Sequence, residues 1–152
     1  MPILGLHQKR ERDGPLDRIG PHERSAIMAK VASKNTRPEL LVRSMLFRAG
    51  LRFRLHAREL PGSPDVVLPK HRTIVFVHGC FWHGHDCRSG RNRPKSNAGY
   101  WEAKLDRNIS RDRDARLRLE EQGWTVHVIW TCQLEHDTQR LIEALHPGSA
   151  RA

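Results

Sequence analysis

Apolar residues in this chain follow two periods. Ile74, Val75, Phe76 and Val77 form one short run rich in β-branched residues, and Val126, Val128 and Ile129 form another between Trp124 and Trp130. Runs of this length and composition predict buried strands, here over residues 73–77 and 124–130. Weaker runs at 51–55 and 65–68 predict two more, and Pro69, Lys70 and His71 leave only a tight connection before residue 73. Three strands so closely spaced predict an antiparallel meander.

The helical period appears elsewhere. Leu40, Leu41, Met45 and Leu46 make an apolar stripe, with Asn35 or Thr36 placed to cap it, Pro38 in its first turn and Gly50 to stop it. Residues 100–122 carry Leu105, Ile109, Leu117 and Leu119 among equal numbers of acidic and basic side chains, which predicts a long solvent-facing helix ended by Gly123. Ile27, Met28 and Val31 predict a short amphipathic helix over 22–31, and residues 138–145 a closing one. A mixed central sheet flanked by helices on both faces, an α/β fold, is the simplest packing of this order.

Aperiodic, charged residues 1–20 read as a disordered N-terminal arm, residues 21–146 as a single domain, residues 147–152 as a flexible tail, and 88–99 as a basic surface loop. A chain of 152 residues buries about 68 to 70% of its unfolded surface and needs no staples. No apolar run approaches the roughly 20 residues of a membrane span, and residues 1–12 lack the apolar core of a signal peptide, so a cytoplasmic protein is expected. The formal net charge of +10 points to a polyanion. It is concentrated: Lys30, Lys34, Arg37, Arg43, Arg48, Arg52, Arg54 and Arg58 are opposed only by Glu39.

Chemistry gathers at the end of the 73–77 strand. His78, Cys80, His83, His85 and Cys87 follow it, interleaved with Phe81 and Trp82. Cys132 lies just past the end of the 124–130 strand, so adjacent strand ends would unite all three cysteines. Buried apolar cysteines and exposed loop histidines are the plainer reading of such residues taken singly. Three cysteines meeting histidines at one place favour a closed, tetrahedral structural zinc site, and spacing alone leaves open which histidine completes it.

Asp65 sits at a strand start in the segment LPGSPDVV, beside the strand that carries His78. With Glu39 and the histidines left over from zinc it can hold a hard cation and activate a water for phosphodiester hydrolysis. Taken alone, Asp65 is equally a turn aspartate and Glu39 an acid that complements a helix dipole.

The segments LPGSPD, VFVHGCFWHGHDC, YWEAKLDRNISRDR and GWTVHVIWTC together resemble the very-short-patch repair (Vsr) mismatch endonucleases, in that family's order and over residues 22–145. The resemblance implies a restriction-endonuclease-like core with one structural zinc, and magnesium-dependent nicking of double-stranded DNA beside the thymine of T:G mismatches left by deamination of 5-methylcytosine. Carried over residue by residue, it makes Asp65 the magnesium carboxylate and Val77 a carbonyl ligand, with Glu39 assisting through metal-bound water. His83 then activates the attacking water, His78 meets the scissile phosphate, and Asp112 is a supporting acid. Cys80, His85, Cys87 and Cys132 hold zinc, and Phe81, Trp82 and Trp101 wedge into the duplex at the mismatch. Core packing is the alternative for Trp101, and a helix-surface aspartate for Asp112.

Two positions depart from the enteric members of the family. Val77 replaces a threonine, although a carbonyl ligand survives any side chain. Gly84 and Asp86 replace histidines, which leaves His85 as the clearer ligand. A monomer is expected, with mismatch-repair proteins as possible partners. Two rivals remain: a zinc-stabilised DNA-binding module without catalysis, which has no need of Asp65 and Glu39, and a zinc-centred nuclease of another fold, which has no need of magnesium.

Overall fold

A computed structural model describes residues 34–146. The arm, the 22–31 helix and the C-terminal tail expected above lie outside the described residues. Helix α1 (Arg37–Arg48) starts at Thr36, whose Oγ1 accepts the Glu39 N–H at 3.4 Å. Glu39 reciprocates from the third helical position, its Oε2 accepting the Asn35 N–H at 2.9 Å, so a Thr-x-x-Glu box closes the first turn. Strand β1 (Arg54–Leu55) pairs antiparallel with β2 (Val66–Leu68), and β2 pairs antiparallel with β3 (Thr73–His78) through a 3-10 turn at Pro69–His71. After the short helix α2 (Arg88–Arg91) comes α3 (Ala98–Glu121). It leads into β4 (Thr125–Trp130), which runs parallel to β3, and α4 (Leu134–Leu145) closes the described chain.

The sheet order is β1-β2-β3-β4. Period two splits its side chains between two cores. Val66, Leu68, Val75 and Ile129 face Val42 and Leu46 of α1 and Leu134 and Leu141 of α4. Val67, Ile74, Phe76 and Val126 face Leu119 of α3. Helices therefore cover both faces of a mixed sheet. Leu46, with no exposed surface, is a position where truncation to alanine costs about 2 to 5 kcal/mol.

Five expectations need correction. The first strand does not extend over 51–55: Leu51 is buried in the core, but the ladder holds only Arg54 and Leu55, opposite Val67 and Val66. The stripe on α1 is also rotated. Leu40 and Leu41 are 51% and 39% exposed, while Val42 and Leu46, one turn apart, face the sheet together with Glu39. Leu117 of the long helix is exposed as well, and Ala115 takes its place in the core. The 88–99 stretch is not wholly loop, since α2 forms there and α3 begins at Ala98, and α4 starts four residues earlier than predicted, at Leu134. Gly50 and Gly123 do follow their helices with left-handed φ of 82° and 86°, as a helix-ending glycine should.

Candidate active site

The parallel pairing of β3 with β4 puts His78 opposite Trp130, and everything chemically distinctive gathers at that end of the sheet. Four groups of side chains meet there.

The first is soft. One ligand atom from each of Cys80, His85, Cys87 and Cys132 lies within 4.8 Å of all the others. The loop after β3 turns back through the His83 N–H to Gly79 O bond at 3.2 Å and the His85 N–H to Cys80 O bond at 3.0 Å. Cys132 arrives from the 3-10 turn after β4, its Sγ 3.4 Å from His85 Nδ1. The Cys87 Sγ also caps α2 by accepting the Gly90 N–H at 3.3 Å. His85 stacks on Trp130 with ring centroids 4.3 Å apart, which holds the imidazole in place.

The second group is hard. Asp65 immediately precedes β2, and its Oδ2 accepts the Val77 N–H at 2.7 Å. In an extended strand the N–H and C=O of one residue face the same edge, so the Val77 carbonyl lies on Asp65's side of β3. Burial, opposed by the Val77 N–H and reinforced by the nearby Glu39 carboxylate, raises the Asp65 carboxyl to about 6. Glu39 itself is only 5% exposed. His56 completes this group, with one ligand atom each from Glu39, His56 and Asp65 mutually within 4.8 Å.

The third group is His78, His83 and Asp112. The two imidazoles stack with centroids 3.7 Å apart and planes 3° from parallel. His83 Nδ1 lies 2.5 Å from Asp112 Oδ2. An ionised carboxylate only accepts, so Nδ1 carries the proton and Nε2 keeps its lone pair. Burial, then the neighbouring His83, pushes His78 down to about 4, so it stays neutral through the physiological range.

The fourth is aromatic. Phe81, Trp82 and Trp101 contact one another with centroids 5.0 to 5.8 Å apart, all partly exposed, and the Lys104 ammonium lies 5.3 Å from the Trp82 ring centre. Trp101 packs against the loop aromatics instead of entering either sheet core. The Asn108 Nδ2 holds the loop by donating to Trp82 O at 3.1 Å.

Comparison with known sequences gives the family. The sequence model of the family described as DNA mismatch endonuclease Vsr matches residues 16–89, a span that contains Glu39, Asp65 and the whole His/Cys loop. A type II nicking enzyme of Xanthomonas oryzae pv. oryzae is 52% identical over 118 residues, which is 78% of this chain and 86% of that protein. The chain belongs to the Vsr family. The DNA mismatch endonuclease Vsr of Escherichia coli is 38% identical over 122 residues, 80% of this chain and 78% of its own length. A type II nicking enzyme of Neisseria meningitidis serogroup A is 46% identical over 114 residues, 75% and 81% of the two chains. In this Vsr chain, as in any member of a DNA endonuclease family, the residues to explain are those converging on one strand end. No helix among the described residues is long and apolar enough to cross a membrane.

Two residues of the hard group escaped the sequence reading. His56 follows β1 with a left-handed φ of 47°, and no periodicity marks it. Arg43 counted there only towards positive charge, yet its guanidinium lies inside the group: NH2 is 3.1 Å from Glu39 Oε2 and 2.9 Å from His56 Nε2. The i to i+4 spacing of Glu39 and Arg43 was the available signal.

Proposed function

We propose that this protein nicks double-stranded DNA beside the thymine of T:G mismatches, with magnesium at the Asp65 group and a structural zinc at the cysteines, and so starts very short patch repair. The observation that carries the reading is the meeting of Asp65, Glu39, His78, His83 and Asp112 at one strand end, with Phe81 and Trp82 in the loop that carries His83 and Trp101 packed on them from α3. Helix-flanked strands presenting a carboxylate at a sheet end are what a restriction-endonuclease-like core requires.

Both metals suit their donors. A tetrahedral zinc with sulfur ligands at 2.3 Å has ligand-to-ligand edges of about 3.8 Å, and the four soft donors fall within 4.8 Å of each other. Three thiols and one imidazole are borderline-soft donors and fill the shell, which is the mark of a structural site. At the other group, burial and the Glu39 carboxylate raise the cost of ionising Asp65, a cost a hard divalent cation would relieve. Asp65 and the Val77 carbonyl would hold magnesium, with Glu39 at one remove, and the chemistry it would supply there is charge stabilisation of the phosphate.

The protein's own residues do the rest. His83, oriented by Asp112, takes a proton on Nε2 from the attacking water. The water oxygen forms its bond to phosphorus as the bond to the leaving sugar oxygen breaks. His78, neutral and stacked on His83, donates one N–H to the phosphate, and its neutrality avoids opposing the positive charge that develops on its neighbour. Phe81, Trp82 and Trp101 insert where a T:G wobble stacks poorly, since the wedge costs less there than in matched duplex. Arg91, 71% exposed at its side chain and paired with the exposed Asp86 carboxylate at 3.5 Å, can exchange that surface partner for phosphate.

A nicking assay on duplexes carrying each mismatch in turn, with and without magnesium, tests this. Magnesium-dependent cutting of T:G alone is expected; equal cutting of matched duplex, or cutting without magnesium, overturns it.

A further inference from the structure

Arg43 is an expensive residue to keep where it is. Its side chain is 11% exposed, and its buried Nε has no hydrogen-bond partner among the described residues. Burying a guanidinium with an unmade hydrogen bond lowers stability unless its other protons are well used. Three protons on the terminal nitrogens have partners. NH1 donates to Asn35 Oδ1 at 2.8 Å, and the two protons of NH2 go to Glu39 Oε2 at 3.1 Å and His56 Nε2 at 2.9 Å.

Because a guanidinium only donates, His56 Nε2 must accept, so His56 is neutral with its proton on Nδ1. Asn35 Oδ1, 3.3 Å from the same nitrogen, does not reverse this. A proton on Nε2 would face a guanidinium proton across 2.9 Å, the shorter and costlier conflict. His56 is itself anchored to the strand that carries the catalytic carboxylate, its N–H donating to Asp65 O at 3.4 Å. Glu39 Oε2 is thus doubly held, by Arg43 and by the Asn35 N–H, while Oε1 has no hydrogen-bond partner among the described residues.

We propose that Arg43, seated on His56 as its acceptor, is a positioning residue that holds the buried Glu39 carboxylate in place with one oxygen free for the divalent-ion site. The proposal rests on the ion-site reading above. Without the guanidinium, Glu39 Oε2 keeps only the Asn35 N–H as a partner. The carboxylate is then free to turn away, and the ion loses its outer partner. Without an acceptor at position 56, the second NH2 proton is orphaned and the fork swings off Glu39.

The test is calcium binding, followed by calorimetry on the full chain bound to a T:G duplex, with thermal melts as a check on folding. Arg43→Met and His56→Leu should each weaken calcium binding by about tenfold, the lower end of what losing an outer partner of a metal ligand does. His56→Gln, whose amide oxygen can accept the same proton, should stay within about twofold. In a Glu39→Gln background, Arg43→Met should add almost nothing, because residues acting through one another are not additive. Unchanged calcium affinity in both His56→Leu and Arg43→Met overturns the proposal, as does a full loss in His56→Gln, which would make the imidazole itself the active group. Asp65→Asn is the separate control. If it leaves calcium binding intact, the ion-site reading fails, whatever the other variants do.

Discussion

The soft cysteine group and the hard carboxylate group flank the same strand end, and they are built in opposite ways. Cys80, His85 and Cys87 come from one loop, and only Cys132 is imported. Glu39, His56 and Asp65 come from α1, the turn after β1 and the residue before β2, three separate elements that only the fold brings together. The first is a clasp whose parts the chain delivers nearly together. The second is a pocket in which like charges are forced close, with burial raising Asp65 to about 6. A group that holds the fold favours its own assembly, whereas one that works on a substrate tolerates strain that the rest of the fold must carry.

The sharpest way to break this contrast is Asp65→Asn. Nicking should fall by at least about a hundredfold, the scale of removing one charge-stabilising group, while T:G binding and zinc content hold. Stability should move the other way. Between its ordinary 3.8 and about 6, folded Asp65 keeps a proton that the unfolded chain has released, so stability falls as pH rises through that window. Above it, in magnesium-free buffer, the asparagine variant should be more stable, by up to about 2 to 3 kcal/mol. Thermal melts at pH 3.5 and pH 8 check this, and a variant less stable at pH 8 would show that the pocket is not under charge strain.

The opposite behaviour is expected of the clasp. Cys132→Ala should release zinc and lower stability by on the order of 3 kcal/mol, roughly 6 to 12 °C in a chain of this size, read by elemental analysis and melting. Gly90→Ala should act similarly without touching a ligand, because a Cβ there would sit 1.7 Å from the His85 carbonyl oxygen, backbone that cannot yield without moving the loop that carries His85 and Cys87. Full zinc occupancy in either variant would mean that the clasp is looser than drawn.

Trp82→Ala probes the proposed aromatic wedge. It should reduce the preference for T:G over matched duplex by about 1 to 3 kcal/mol with little change in zinc content, and binding to both duplexes measured side by side decides it. An equal loss on both would make Trp82 a general contact.

Smallest is the basic segment. Arg91→Gln should weaken binding to matched and mismatched DNA alike and reduce the salt slope by about one. Arg93→Gln should cost slightly more, since its NH1 also donates to Gly90 O at 2.5 Å. A melting difference between the two variants separates phosphate contact from support of the clasp.

Much of the layout was readable along the chain because its signals are local. β-branched runs mark β3 and β4, helix-ending glycines mark α1 and α3, and three soft donors within eight positions announce a metal. The rotated face of α1 was not readable, because the helix offers two apolar sides. Leu40 and Leu41 are the more hydrophobic pair, but Val42 and Leu46 lie on the side where Glu39 can reach Asp65. Arg43 and His56 were hidden for a related reason. On a helix surface an arginine four residues after a glutamate is an ordinary solvated pair, and only the arrival of residue 56 over the helix turns it into a buried one.

Periodicity and spacing act over a few residues, and they were enough to set most of the elements, the three cysteines as soft donors and the basic balance of this chain. The parallel register of β3 with β4 brought Cys132 to Cys80, and the packing of α1 across the sheet set Glu39 beside Asp65. Those contacts join residues far apart in sequence, and their energies depend on burial and on charges from several elements at once, which no single stretch of the chain contains.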